Sequence, residues 1–181
     1  MPARQLVTFL LGAWIAGSLF MMIVATQNFR NVDRLLAAPS TPAAGMIAAL
    51  GHDSARQLLR YHSSELNRLY FRWWEAAQLG IGAGLLITFV RSKIAGKPLI
   101  FMAAAMVVIT ASMHWWLTPQ IVEIGRAIDF VPQTADSAER TQFWRLHGIY
   151  STLEVIKLAA LVISGLFLFR KDAPTAGRIR G

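Results

Sequence analysis

Cysteine is absent from the 181 residues. That excludes disulfides, thiolate metal sites and cysteine nucleophiles, and it leaves the redox compartment undecided. Acidic residues are scarce, ten Asp and Glu against 18 Lys and Arg, for a formal charge of +8 and a pI near 10.8. In a soluble chain such an excess would point to nucleic acid. Here the basic residues collect at the ends of apolar runs, and no basic patch is interleaved with exposed aromatics, so no nucleic-acid partner is expected. The chain also lacks a P-loop, a zinc-protease motif and a nucleophile elbow, which argues against a soluble-type catalytic site. Gly80-Ile81-Gly82-Ala83-Gly84 is glycine-rich but has no strand before it, so it reads as helix packing. What the chain has in excess is apolar surface: 55% hydrophobic residues and a mean hydropathy of +0.44. A chain of this size and composition reads as a small polytopic membrane protein whose first partner is the lipid bilayer.

Four stretches are long enough to cross a bilayer: about 6–25, 70–90, 99–117 and 148–169. The first is uncharged; a single basic residue precedes it and bulky Ile23 disfavours cleavage after Ala25, so it is expected to be a retained span. Its Gly12-x-x-x-Ala16 and Ala13-x-x-x-Gly17 pairs allow close helix approach. Between the spans lie two polar, amphipathic loop regions, about 27–68 and 118–146. In the first of these, Pro39, Ser40, Thr41 and Pro42 break the chain. A helix capped by Asp53 or Ser54 then places Ala55, Leu58, Leu59, His62, Leu66, Leu69 and Trp73 on one face. No breaker separates it from the second span, so one helix is expected from about 54 to 90. Pro119 is expected to kink a helix running on to about Phe130, and Pro132–Ser137 to form a loop. The expected fold is therefore an all-α integral membrane four-helix bundle, a single membrane domain with amphipathic helical extensions.

The N-terminus, the 91–98 turn and the C-terminus fall on one side with eight basic residues and one acid, Asp172. The two longer loops carry eight basic and seven acidic residues. By the positive-inside rule both termini are expected to be cytoplasmic, in a bacterial inner membrane.

The last span holds Glu154 and Lys157 well inside it. Each would cost at least about 2.5 kcal/mol at the centre of a lipid-facing helix, so partners from other spans are expected. Counting from the cytoplasmic ends, Glu75, His114 and Glu154 each lie 15 positions in and share a level. Arg72 sits a turn further out, and Lys157 a turn further in, near Gln78. Helical spacing puts Arg68, Arg72, Glu75, Gln78 and Gly82 on one stripe of the second span and Thr110, His114 and Thr118 on one stripe of the third. A buried cluster of Arg72, Glu75, Gln78, His114, Glu154 and Lys157 is the candidate site for a small ion or polar ligand, with His114 placed to exchange protons. The alternatives are ion pairs that only fix helix register, and a structural or assembly subunit docking a protein partner or a second copy through its outer amphipathic helices. Whether Glu154 pairs with Arg72 or with Lys157 is open from the sequence. Haem on His114 and His147, or copper on His114 with Met21, Met22 and Met113, are further alternatives; neither has a diagnostic spacing. His52 and His62 read as surface residues.

Trp116-Leu117-Thr118-Pro119 and the stretch Phe143-Trp144-Arg145-Leu146-His147-Gly148-Ile149-Tyr150-Ser151 resemble a family of small four-span membrane proteins of unassigned function. Its eukaryotic relatives are described in connection with platinum-drug resistance. The start of the first span, Gly12-Ala13-Trp14-Ile15-Ala16-Gly17-Ser18-Leu19-Phe20, is similar to that family as well. The resemblance implies a four-helix membrane bundle with His147, Gly148, Tyr150 and Ser151 at the head of the last helix; it implies no mechanism. A looser similarity of layout extends to copper-resistance membrane subunits and a haem-binding protoporphyrinogen oxidase. The latter group has a histidine in its first span, which is missing here.

Overall fold

Uncharged runs of about 20 residues can satisfy their backbone in lipid only as helices, and helices dominate the computed structural model, which describes residues 2–132 and 137–170. In chain order these are α1 (Ala3–Ala37), α2 (Thr41–Leu50), α3 (His52–Ser92) and α4 (Lys97–Ser112). A π-helical turn (Met113–Leu117) then leads directly into α5 (Thr118–Ile128), and α6 (Ala138–Arg170) closes the bundle. Four helices are long and apolar enough to cross a membrane: α1, α3, the continuous rod from α4 through α5, and α6. The C-terminal basic residues from Lys171 onward, and 133–136 of the expected Pro132–Ser137 loop, lie outside the described residues.

The rods outrun the bilayer. At 41 residues α3 is roughly 60 Å long, about twice the hydrocarbon thickness. The two amphipathic regions between the spans are mainly helical, as expected of the extensions: α1 and α3 run into the first, which also holds α2, and α5 and the start of α6 fill much of the second. Helix α3 begins at His52, just after the chain reverses at Gly51, slightly earlier than the expected caps.

Helix α1 packs on α3 and α6, α3 on α4, and α6 on α4 and α5, which closes the ring. One end of the ring is a dry core: Val7, Leu11 and Trp14 meet Leu85 and Phe89, Leu99, Ala103 and Met106, and Leu161 and Leu168. Arg4 ties this end together by donating to the Leu168 carbonyl at 2.9 Å. Close approach of α1 and α3 rests on Gly17 and Gly82. The Trp74 ring lies where a Gly17 Cβ would stand, and Val107 and the Trp14 ring lie against Gly82. Gly12 and Gly80 have open space instead, so the Gly12-x-x-x-Ala16 pair plays no packing part.

In the outer half the packing face of α3 differs from the expected one. Leu58, Leu69 and Trp73 are more than 40% exposed, and His62 is exposed too. The buried face is polar. Asn67 accepts from Asn28 at 2.6 Å and donates to the Ala25 carbonyl at 3.1 Å, while Ser63 donates to the Asn28 carbonyl at 3.2 Å. These bonds hold α1 and α3 side by side, and only Ala55 of the apolar stripe is buried with them.

Candidate functional site

Between the dry core and the outer extensions, three rods turn polar side chains toward one another. Helix α3 contributes Glu75 and Gln78, the α4–α5 rod Thr110, His114 and Thr118, and α6 Tyr150, Glu154 and Lys157. Positions four apart drift around a 3.6-residue helix. The π-helical turn, in which the Thr118 N–H reaches back five residues to the Met113 carbonyl, is wider and removes part of that drift, keeping the rod's three polar side chains facing α3. It also precedes Pro119, whose ring would clash with the carbonyl four residues earlier in a regular helix.

Glu75 is fully buried. His114 Nδ1 lies 3.1 Å from its Oε2, and the Thr118 hydroxyl donates to its Oε1. Lys157 is 1% exposed and donates three bonds: to Glu154 Oε1 at 2.8 Å, to Thr110 Oγ1 at 3.2 Å, and to the Gln78 side-chain carbonyl. Gln78 in turn accepts from Thr110 at 3.4 Å and donates to Glu154 Oε1 at 3.5 Å. The Lys157 ammonium is therefore fully satisfied, as burial requires. Glu154 is not: among the described residues every donor goes to Oε1 and none to Oε2. Tyr150, 7% exposed, has its hydroxyl beside Glu75, within hydrogen-bonding reach of that carboxylate but in poor geometry. Its ring is held by Met113 and Leu117 and by an edge contact to Phe71 at 5.6 Å.

The expected residues are thus largely brought together, with one correction. Arg72 is exposed and takes no part: among the described residues the cluster has one permanent cation, Lys157, and it is Lys157, not Arg72, that pairs with Glu154. At the head of the last helix the four expected residues split. Tyr150 faces inward, whereas Gly148 and Ser151 are exposed and the Ser151 hydroxyl bonds the His147 carbonyl at 2.9 Å. His147 is half-buried, stacked on Phe143 at 5.8 Å and beside Trp144. The soft donors do not gather around His114: Met113 is packed in the core, and Met21 and Met22 line a cavity beside Glu154. Among the described residues no three His, Asp or Glu side chains converge as a metal shell. Trp73, Trp115 and Trp116, each about two-thirds exposed, surround the level of Glu75 and His114 as an interfacial belt does.

A second charged group, not expected from the sequence, lies just outside this belt. Arg68 of α3 donates to both oxygens of Asp129 at 2.7 and 2.9 Å and to Glu65 at 2.6 Å. Arg126 of α5 donates to both oxygens of Glu65 at 3.0 Å. The Arg126 guanidinium, helped by Arg68, holds the Glu65 carboxyl down at about 2. The local signal for it is an acid and a base three apart on each helix, Glu65 with Arg68 and Arg126 with Asp129.

A cavity of about 90 Å³ opens between α1, α3 and α6, lined by Ser18, Met21, Met22, Phe71, Trp74 and Glu154 with neighbouring apolar side chains. Glu154 is 17% exposed and is the one ionisable group on its wall among the described residues.

Fold and site together define an all-α membrane bundle with a buried polar cluster beneath one face. Searches for a matching protein-family model, curated protein or solved structure return none.

Proposed function

We propose that this is a multi-pass inner-membrane protein, with both termini cytoplasmic, that binds a small ion or polar ligand at the cluster of Glu75, Gln78, His114, Glu154 and Lys157. The observation that carries the proposal is an open charge balance. Two carboxylates, Glu75 fully buried and Glu154 17% exposed, face a single ammonium, and among the described residues the cluster still offers an unused acceptor at Glu154 Oε2. Closed ion pairs that merely fix register leave no such remainder. His114, 21% exposed and 3.1 Å from Glu75, opens one edge of the site toward the outer face. The dry core seals the opposite side, which supports binding at the cluster over passage through it. The family resemblance, with its four-span layout, agrees with this reading and adds no reaction to it.

The test is calorimetric titration of the purified protein in nanodiscs with ammonium chloride and, separately, with sodium chloride. Wild type is expected to bind one cation per chain at the cluster. The joint change of Glu154→Gln and Lys157→Met is expected to leave the protein folded and abolish that binding. No binding by folded wild type, or equal binding by the folded double variant, would sink the proposal. A visible spectrum and metal analysis of the same preparation test the haem and copper readings, which predict a Soret band or stoichiometric copper.

A second reading, an assembly subunit, is favoured by one observation. Helix α2 carries no charge, has no buried residue, and exposes Met46 and Leu50 beside the open Leu58 of α3. Chemical cross-linking in intact membranes, with α2 made polar by Met46→Lys, tests it.

A further inference from the structure

The wall cavity has features that the ion-binding reading does not use. Its lining is apolar on the side reached from lipid: Leu19, Met21, Met22, Val155 and Leu158. Two aromatic rings, Phe71 and Trp74, and one carboxylate, Glu154, complete it. Glu154 Oε2 is open, so an occupant meets an acceptor to which no described residue donates. A neutral, donor-free chain would leave that oxygen unpaired beside hydrocarbon, at a cost. An anion would face a carboxylate. An ammonium answers the carboxylate and the rings together: N–H to Glu154 Oε2, positive charge against the aromatic rings, and an apolar body along the methionines and Leu158. It would also bring a second positive charge to a cluster of two carboxylates and one ammonium. The volume, about 90 Å³, is several times what a single water needs and accommodates a small head group.

We propose that the cavity between α1, α3 and α6 binds the ammonium head of a lipophilic amine that enters sideways from the bilayer, with Glu154 Oε2 as its hydrogen-bond acceptor and Phe71 and Trp74 as its cation–π walls. This rests on the reading of the cluster as a ligand site and names the ligand class. Ser18, 7% exposed, also lines the cavity, and a larger side chain there fills part of the same space.

The experiment is photolabelling of the full-length protein in phosphatidylcholine nanodiscs with a dodecylammonium probe carrying a diazirine next to its head group. Labels are expected on Met21, Met22, Val155 or Leu158. Unlabelled dodecylammonium is expected to compete, and dodecanol and dodecanoate not to. Glu154→Gln and Ser18→Leu are each expected to reduce labelling by about tenfold. If Glu154→Gln does not fold, Ser18→Leu decides between the outcomes. Equal labelling by the amine and by matched alcohol and acid probes would make the cavity a plain acyl-chain groove and overturn the proposal. Displacement of the probe by phosphatidylethanolamine but not by free dodecylammonium would overturn it too, as would unchanged labelling in Ser18→Leu. Failure here with small-cation binding at the cluster intact removes only the amine; loss of both removes the ligand site itself.

Discussion

Two charged groups sit within a few turns of each other on α3, and they are built to opposite rules. The outer one, Glu65 and Arg68 with Arg126 and Asp129, has two acids, two bases and two bidentate pairs, so its charges cancel. The inner one, Glu75 and Glu154 with Lys157 and His114, is less exposed, yet its acids outnumber its permanent cations, and Glu154 Oε2 accepts from no described residue. Burial raises the cost of an open charge balance. A purely structural clasp would therefore be expected to close its balance more completely in the deeper position, and the reverse is observed. That inversion fits an outer group that holds α3 against α5, and it is what the proposed ligand site rests on.

The largest effect should come from breaking the inner group on one side only. Lys157→Met takes from Glu154 its charged partner, leaving only the long Gln78 contact, and is expected to cost about 3–5 kcal/mol of stability. Adding Glu154→Gln should restore a good part of it, because the unpaired charge goes with the carboxylate. Thermal or denaturant unfolding of the purified single and double variants checks this, and a double variant no more stable than Lys157→Met would show that the pair is not the local unit described. An intermediate effect is expected outside the belt. Arg68→Met removes the donor to both Asp129 and Glu65, but the site is closer to water, so about 1–3 kcal/mol is expected, with α5 separating from α3 before the rest of the bundle. Hydrogen exchange along α5 measures it.

How much of this is readable in the sequence depends on which constraint is local. The four spans follow from bilayer thickness, and the single long α3 from the lack of any breaker between His52 and Ser92. The meeting of Glu75 with His114 follows from counting residues along rods of fixed rise, which antiparallel packing then aligns. Arg72 departs from the expected cluster because a stripe is an arc. At 100° per residue Arg72 and Gln78 stand about 120° apart on the helix, and the buried side is set by Gln78, Gly82, Leu85 and Phe89. Arg72 falls beyond its edge, next to exposed Trp73. The outer clasp is unreadable for another reason: its members are 61 residues apart, and their register depends on how the rod bends through the π-helical turn. Likewise the polar packing face of outer α3 breaks the rule that apolar stripes face inward, because Asn67 and Ser63 pair with α1 directly.

The smallest effect sharpens the comparison most, because only the outer group should show it. Glu65 titrates at about 2, below its ordinary 4.5, since its ionised form is held by Arg126 and Arg68. A carboxyl depressed in the folded state stabilises fully above its ordinary value, and the contribution fades as pH falls from about 4.5 toward about 2. Glu65 is 30% exposed, so water and salt screen the clasp, and the loss is expected to stay near or below about 1 kcal/mol. In melts recorded across that acid range, wild type should lose stability more steeply than Glu65→Gln, whose neutral amide has no charge to surrender. About 1 M salt, with a Debye length near 3 Å, should narrow the gap between the two curves. The Lys157→Met defect, buried away from solvent ions, should keep its size in the same salt. A salt-sensitive defect at Lys157 would mean that the inner group is as open to water as the outer one, and the contrast between a closed clasp and a charged, ligand-ready interior would fall with it.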